Sequence, residues 1–324
     1  AMGLFISLAF VFVQNPNPHL EWLWVMSVFG IPLYLITAIG IGLHFDRFAA
    51  EQGRFYRGFQ VVLLVLGILM VPLHGSEISK RNYYWVEDYG RNILTSLVPD
   101  AIYLPEADHA AFSALYLQVA EGLRPDVTLG RKYGYVDTTL TPGLAERFGP
   151  FPPRREEPQI FAQLLRETDR PVYVPRPLPI DYPGLRFLPH GLVYRAARPG
   201  EKVEAVDAWQ QYTWRNEPNI GLPDNWWGTD YTYNLILYER KYEEARQAFM
   251  RGERDRARKF LELAVFYYGF DYVPFYNAGT LCAQYGDYAE AGMYFRQALR
   301  EDPSGAEARA SLERLGTRAG TLPE

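Results

Sequence analysis

The chain has 324 residues, of which 48% are apolar and 15% aromatic, and its formal net charge is −5. A chain of this length and apolar content can bury a substantial core in more than one domain. Its nearly neutral charge, without a Lys/Arg-rich tract, argues against nucleic acid as a partner. The single cysteine, Cys282, excludes an internal disulfide and forms no zinc-ligand pattern with the histidines.

Three apolar runs with few charges occupy the first 75 residues, at 4–13, 25–43 and 59–73. Only the second run approaches the roughly 20 residues that a bilayer crossing needs. We interpret residues 1–75 as transmembrane helices at the end of a larger membrane domain. Two alternatives stay open, a signal peptide in the first run and a buried helical hairpin of a soluble protein.

The charges between these runs predict an orientation. The loop between the second and third runs carries Arg47, Arg54 and Arg57, whereas the loop at 14–24 carries only Glu21. Because arginines are enriched in cytoplasmic loops, residues after 75 are expected in the periplasm or another extracytoplasmic space. The chain would then lie in a cell inner membrane, with the lipid bilayer as a partner.

The next stretch predicts the opening of an α/β domain. Apolar residues at helical spacing from Tyr83 to Leu94 indicate a helix, and a short buried strand follows at 101–104. A turn ending in Asp108, which can cap a helix, leads into a helix over 109–121. Its apolar face is expected to be Phe112, Leu115, Tyr116 and Val119. Since a strand at 127–129 comes next, the order favours a mostly parallel sheet.

The order and spacing of residues in this stretch resemble a family of bacterial membrane glycosyltransferases. These are GT-C-type enzymes related to the animal transmembrane protein O-mannosyltransferases. The matching positions are Asp88, Tyr89, Asn92, Pro99, Ala101, Ile102, Asp108, Phe112, Tyr116, Leu117, Gln118, Arg124, Asp126 and Val127. The chain departs from the family at the acidic turn, where Gly-Asp-Asn-Asp-Thr is usual and residues 107–111 read ADHAA.

The resemblance implies a membrane domain followed by an extracytoplasmic α/β domain, often with tetratricopeptide repeats. It also implies a polyprenyl-phosphate sugar donor. The carboxylate that activates the acceptor is expected in the first outer loop of the membrane domain, near the N-terminus of the family's proteins. No catalytic carboxylate is therefore expected within these 324 residues.

Residues 130–200 are rich in Pro and Arg and suggest loops around short elements. An amphipathic helix at 158–168, a strand at 172–174, and a hairpin formed by 185–188 and 191–195 are predicted. A helix at 205–214 would lead out of the sheet. We expect an α/β domain over 76–228.

The segment 212–233 is aromatic, rich in Asn and Asp, and interrupted by Pro and Gly. Trp226 and Trp227 in it are candidates for binding an acceptor or glycan, because aromatic faces stack on sugar C–H groups while neighbouring amides and carboxylates bond hydroxyls. The alternative, which we favour, is that both tryptophans fill the seam between two domains or lie at a membrane surface.

Residues 229–324 are predicted to form a helical stack that resembles tetratricopeptide repeats. The positions that carry the resemblance in the clearer repeat are Gly279, Ala291, Phe295, Ala298 and Pro303. One period of 34 residues earlier, a less regular repeat is predicted. A helix at 306–315 would cap the stack, which is expected to dock on the α/β domain because so few repeats bury little surface by themselves.

One further cluster of polar residues is a candidate site. Glu106, Asp108 and His109 follow the first predicted strand, where α/β folds place their ligands, although an Asp there is more often a helix cap. Together they could form a small metal or acid/base site, and we carry them forward as candidates for acceptor or glycan binding. The five histidines accompany no nucleophile motif, which argues against a hydrolase. No glycine-rich phosphate loop follows a predicted strand, so ATP or NAD binding is unsupported. Neither a cofactor nor a metal is expected.

The sequence therefore predicts an α/β protein with N-terminal transmembrane helices, a small extracytoplasmic α/β domain and a C-terminal helical stack. The favoured function is the accessory C-terminal part of a membrane glycosyltransferase, which binds the acceptor or partner of sugar transfer. The alternative is a non-catalytic, membrane-anchored scaffold subunit that holds a protein through its repeats.

Overall fold

The computed structural model describes residues 84–132, 135–203, 206–215, 231–268 and 271–319, together with the single positions 39, 42, 58, 61, 62, 65, 68 and 69. The chain divides into two compact units, residues 1–83 and residues 84–324. All elements named below belong to the second unit.

The predicted fold class is wrong in its N-terminal part. Most positions of the three apolar runs lie outside the described residues. Within the part of the chain that the structure describes, no helix is both long enough and apolar enough to cross a membrane.

Helices make up most of the regular structure. They are α1 (Trp85–Ser96), α2 (Asp108–Glu121), α3 (Pro142–Phe148), α4 (Glu157–Glu167), α5 (Tyr231–Met250), α6 (Arg254–Tyr268), α7 (Tyr272–Gln284), α8 (Tyr288–Glu301) and α9 (Ala306–Ala319). The strands are β1 (Ile102–Tyr103), β2 (Thr128–Leu129), β3 (Arg131–Lys132), β4 (Tyr135–Val136), β5 (Val172–Val174), β6 (Arg186–His190) and β7 (Val193–Ala197).

The main sheet is mixed rather than mostly parallel, which is the second correction to the predicted fold class. Its strand order is β2-β1-β5-β7-β6. The pairs β1/β2 and β1/β5 are parallel, whereas β5/β7 and β6/β7 are antiparallel. A parallel neighbour needs a long crossover, usually a helix. The proline-rich segment 175–185 contains no helix, and the tight β6–β7 hairpin then places β7 antiparallel to β5.

The helix α2 exposes the face that the sequence was expected to bury. Val119 is 78% exposed, and Phe112, Leu115 and Tyr116 are exposed as well, whereas Leu117 is fully buried. The face turned inward consists of Ala110, Ser113, Ala114 and Leu117, and small residues on it approach α1 closely. A Cβ added to Gly90 of α1 would lie 2.6 Å from Ser113 Oγ. Small residues allow this close helix contact, and the larger side chains lie on the opposite face.

Two other local predictions are corrected. Asp108 is the first residue of α2 rather than its cap, since Ala107 occupies the N-cap and no side chain bonds the helix there. The helix expected at 205–214 is only a short 3₁₀ turn at Ala208–Gln211. The strands at β1, β2 and β5 and the β6–β7 hairpin confirm the strand predictions.

The C-terminal helices form a stack in which α5 contacts α6, α7 contacts α8, and α9 packs on α8. Its core contains small residues next to a large ring, notably Gly279 and Phe295. A Cβ added at Gly279 would lie 2.7 Å from Cδ1 of Phe295, so the absence of a side chain lets the two helices approach. The assignment of this stack to the tetratricopeptide repeats stays a prediction.

Candidate functional site

The sheet places one crevice where α/β proteins commonly bind ligands. From β1 the chain passes through α2 to β2 on one side, and after α3 and α4 it returns to β5 on the other side of β1. The direction of the connection thus changes between β1 and β5. In open α/β sheets, ligands bind outside the carboxyl ends of the strands at such a switch point. Glu106 follows the end of β1, and Arg176 follows the end of β5.

The helical stack lies beside this crevice and forms with it a partly open pocket of about 250 Å³. Residues from the α/β side of the pocket include Tyr89, Glu106, Ala107, Ala110, Pro175, Arg176 and Leu192. The residues from the helical side are Glu239, Tyr242, Glu243 and Arg246 of α5 and Asn277 of α7. The four α5 residues are spaced by three or four positions, so they lie on one face of that helix.

Glu239 connects the two sides of the pocket. The hydroxyl of Tyr89 donates to Oε2 of Glu239 at 2.7 Å, and Nε2 of His109 lies 2.8 Å from the same oxygen. Burial, together with the charge of Glu239, raises the pKa of Tyr89 well above its ordinary value. Tyr89 therefore stays a neutral hydrogen-bond donor and holds α1 against α5.

A second carboxylate, Glu243, is buried beside an arginine. The hydroxyl of Tyr194 donates to Oε2 of Glu243 at 2.5 Å, and Nη2 of Arg246 lies 3.5 Å from Oε1. Burial raises the pKa of Glu243 above its ordinary value. Burial also disfavours the charge of Arg246, but Glu243 beside it raises the pKa of the guanidinium. The guanidinium lies over the rings of Tyr242 and Tyr194, at 5.1 and 5.9 Å from their centres.

Several polar atoms of the pocket keep unused hydrogen-bonding capacity. Glu106 accepts from Nε of Arg176 through Oε2 at 2.7 Å. The Oε1 atoms of Glu106 and Glu239 and the side-chain oxygen of Asn277 accept no hydrogen bond from the described residues. Nε of Arg246 also has no hydrogen-bond partner within the described part of the chain, but it is fully buried and out of reach of a ligand. The wall therefore offers acceptors to a ligand.

The structure separates the five site residues that the sequence singled out. Glu106 lines the pocket, and His109 contacts the pocket residue Glu239. Asp108 is exposed and does not line the pocket. Trp226 and Trp227 lie outside the described residues.

Sequence reasoning missed most of the pocket. The acidic and basic residues of α5 and the arginine after β5 were not singled out. A signal was present, because Glu239, Glu243 and Arg246 recur at helical spacing on one face. A charged face of a helix usually indicates contact with solvent, however. Only the tertiary structure shows that this face of α5 lines a pocket.

Two residues that carry the sequence resemblance form contacts that stabilise the position of α1. Arg124 donates to the carbonyls of Leu94, Leu97 and Val98, which end α1. Asn92 forms two hydrogen bonds with the backbone of Thr213, both of 2.9 Å. These contacts fix α1, and with it Tyr89, relative to the sheet.

The buried carboxylate of Asp88 has a similar structural role. It accepts hydrogen bonds from the backbone nitrogen, Nε and Nη2 of Arg215, at 2.7, 2.8 and 2.5 Å. The bonds attach the segment that follows the sheet to α1. Asp88 thus lies among structural contacts and not in the pocket.

Among the described residues, no group of histidine, cysteine and carboxylate side chains is arranged to hold a metal ion.

No protein-family model matches the sequence. No solved structure matches the chain either.

Proposed function

We propose that this chain is the acceptor-binding part of a GT-C-type membrane glycosyltransferase that works outside the cytoplasm. In this proposal, a polyprenyl-phosphate carries the sugar that is transferred, and the chain binds the molecule that receives it. The sequence resemblance from Asp88 to Val127 supports the type of enzyme. The helical stack is the second surface for the acceptor or a partner protein.

The observation that carries the proposal is the pocket at the switch point between β1 and β5. It combines the position at which α/β folds bind ligands with a cover supplied by α5 and α7. Because two parts of the fold meet there, the pocket is adjacent to the helical stack as well as to the sheet. An acceptor that lies along the stack can therefore insert one group into the pocket.

The test is sugar transfer in membrane vesicles from cells that produce the protein, with a labelled polyprenyl-phosphate sugar as donor and the native acceptor fraction at varied concentration. Glu239→Gln is expected to raise the KM for acceptor and to leave kcat nearly unchanged, because the pocket contributes binding. Glu253→Gln, which removes a surface carboxylate outside the pocket, is the matched control. Vesicles without transfer, or a lower kcat at unchanged KM, would contradict the proposal.

The scaffold alternative is favoured by one observation, the exposed apolar face of α2. Four large apolar side chains lie on that face, and no charged residue falls between His109 and Ala120. Exposed apolar surface often marks a protein contact. If vesicles show no sugar transfer while the chain co-purifies with a stable partner that is lost in Phe112→Ser, the scaffold is the better description.

A further inference from the structure

We infer that the exposed face of α2 lies on the surface of a lipid bilayer, with its large apolar side chains at the boundary between head groups and acyl chains. The residues of this face are Phe112, Leu115, Tyr116 and Val119. The inference goes beyond the proposed function and rests on it in one respect, that the chain acts at a membrane.

The four side chains form one apolar stripe. Their spacing of three and four positions places them on the same side of the helix. Each of the four residues is between 48% and 78% exposed. After residue 83, each of the other described helices exposes at most one large apolar side chain. Single exposed apolar side chains are ordinary, whereas a contiguous apolar patch marks a contact with a membrane or another protein.

The polar side chains of α2 lie on its inner side. Gln118 donates to two backbone carbonyls, and Nε2 of His109 lies 2.8 Å from a carboxylate oxygen of Glu239. Ser113 is buried. A helix at a water-facing surface has the opposite arrangement, with its polar residues on the outer face. The outer face of α2 is therefore suited to an apolar environment.

The composition of the face favours lipid over a second protein. Protein interfaces contain about one hydrogen bond per 100–200 Å², but the hydroxyl of Tyr116 is the only hydrogen-bonding group among the four side chains. Tyrosine is enriched at bilayer surfaces, where its ring and its hydroxyl meet both environments. The charged residues Asp108 and Glu121 are the first and last of the helix, and no Asp, Glu, Lys or Arg lies between them. Both carboxylates can thus stay in water.

The chain that precedes α1 also favours lipid. Its third apolar run ends at residue 73, and residues 74–84 connect it to α1 at Trp85. The helix α2 packs directly against α1, since a Cβ added at Gly90 would lie 2.6 Å from Ser113 Oγ. The apolar sequence therefore joins the described unit at the helix on which α2 packs.

The charges of α2 predict which lipids support the contact. Interfacial helices that are attracted to anionic lipid are rich in Lys and Arg on their polar face. The helix α2 contains neither residue, and both of its ends are acidic. We therefore expect the contact to depend on insertion of apolar side chains and to be equally strong with neutral and with anionic lipid.

The test uses the full chain reconstituted in phosphatidylcholine vesicles, with a fluorophore attached to the thiol of Val119→Cys. Cys282 is fully buried, and the unmodified chain carried through the labelling measures its background. Phosphatidylcholine with a nitroxide either near the head group or at the end of the acyl chain serves as quencher. Since an interfacial helix lies about 5–10 Å into the bilayer, we expect stronger quenching by the nitroxide near the head group.

The matched control is Asp255→Cys, labelled in the same way, because the side chain of Asp255 in α6 is 96% exposed. Quenching by the shallow nitroxide should be several-fold stronger at position 119 than at position 255. Phe112→Ser should reduce the quenching at position 119, and circular dichroism checks that the fold is retained. Vesicles with added phosphatidylglycerol should give the same quenching as phosphatidylcholine alone.

Equal quenching of positions 119 and 255 by aqueous iodide would overturn the inference. Protection of position 119 from iodide without quenching by either lipid would also overturn it, because a protein or a second copy of the chain would then cover the face. Quenching that needs anionic lipid, or that Phe112→Ser leaves unchanged, would exclude apolar insertion.

These outcomes are separate from the test of the proposed function. Vesicles that transfer sugar while position 119 is open to iodide would leave the proposed function standing and exclude the lipid contact. Lipid quenching at position 119 in vesicles without sugar transfer would do the reverse.

Discussion

Gly279→Ala is the substitution that tests the packing of the helical stack most directly. The residue lies in α7, and an added Cβ would be 2.7 and 2.8 Å from two ring atoms of Phe295 and 3.1 Å from the carbonyl oxygen of Ala291. Carbon atoms at optimal contact are about 3.5–4.0 Å apart. Phe295 is 2% exposed, so its ring cannot move away into solvent.

Two effects oppose each other in this variant. Replacing Gly by Ala inside a helix stabilises the helix by about 1 kcal/mol. Overpacking of a well-packed core costs about 1–3 kcal/mol. We therefore expect a net loss of up to about 2 kcal/mol in the free energy of unfolding.

The assay is urea unfolding of the full chain, followed by the helical circular dichroism signal. Gly316→Ala in α9 is the matched control, because an added Cβ there has no atom within 4 Å. The control should be stabilised by up to about 1 kcal/mol. The double variant Gly279→Ala/Phe295→Leu should be less destabilised than the sum of its single changes, since the two residues are in contact. If Gly279→Ala stabilises the chain as Gly316→Ala does, then α7 and α8 do not pack as closely at Gly279 as the structure shows.

Three further predictions concern the α/β part of the fold. Burial lowers the pKa of His190 below its ordinary value. As the pH falls, His190 is therefore protonated in the unfolded chain before it is protonated in the folded chain. The stability contributed by neutral His190 is complete above about pH 6.5 and is lost as the pH falls below that value. His190→Gln should reduce this pH dependence of the free energy of unfolding. Asp88→Asn should cost about 1–3 kcal/mol by weakening the hydrogen bonds from Arg215. Leu117→Ala should cost about 2–5 kcal/mol, whereas Val119→Ala should change stability by less than about 0.5 kcal/mol, as urea unfolding will show.

The control for Asp88→Asn is chosen by the solvent exposure of the carboxylate. Asp255→Asn removes a carboxylate that is 96% exposed, so a loss equal to that of Asp88→Asn would show that burial is not the cause. A His190→Gln variant with the pH profile of the unmodified chain would exclude the buried imidazole as the titrating group. If Val119→Ala lowers the free energy of unfolding more than Leu117→Ala does, the buried face of α2 is the one that the sequence predicted.

The elements of the α/β part were largely predictable because their signals are local. The strands β1, β2 and β5 are short apolar runs bounded by turn residues, and α4 has an apolar face at helical spacing. Gly122 ends α2 in a left-handed conformation, with φ of 64°, as glycine after a helix often does. Of the pocket, only Glu106 could be selected in this way, because it directly follows a predicted strand.

The amino-acid sequence by itself indicated α1, α2 and α4, the strands β1, β2 and β5 and the β6–β7 hairpin, because backbone preferences and apolar spacing act over a few residues. It did not indicate α3 or the β3–β4 pair. Only the tertiary structure decided that β7 would pair with β5, and that the small residues of α2 would face inward. It also brought Glu106, Arg176, Glu243 and Asn277 into one pocket. These residues are far apart along the chain, and their proximity depends on the position of α5 and α7 beside the carboxyl ends of β1 and β5, which no local pattern encodes.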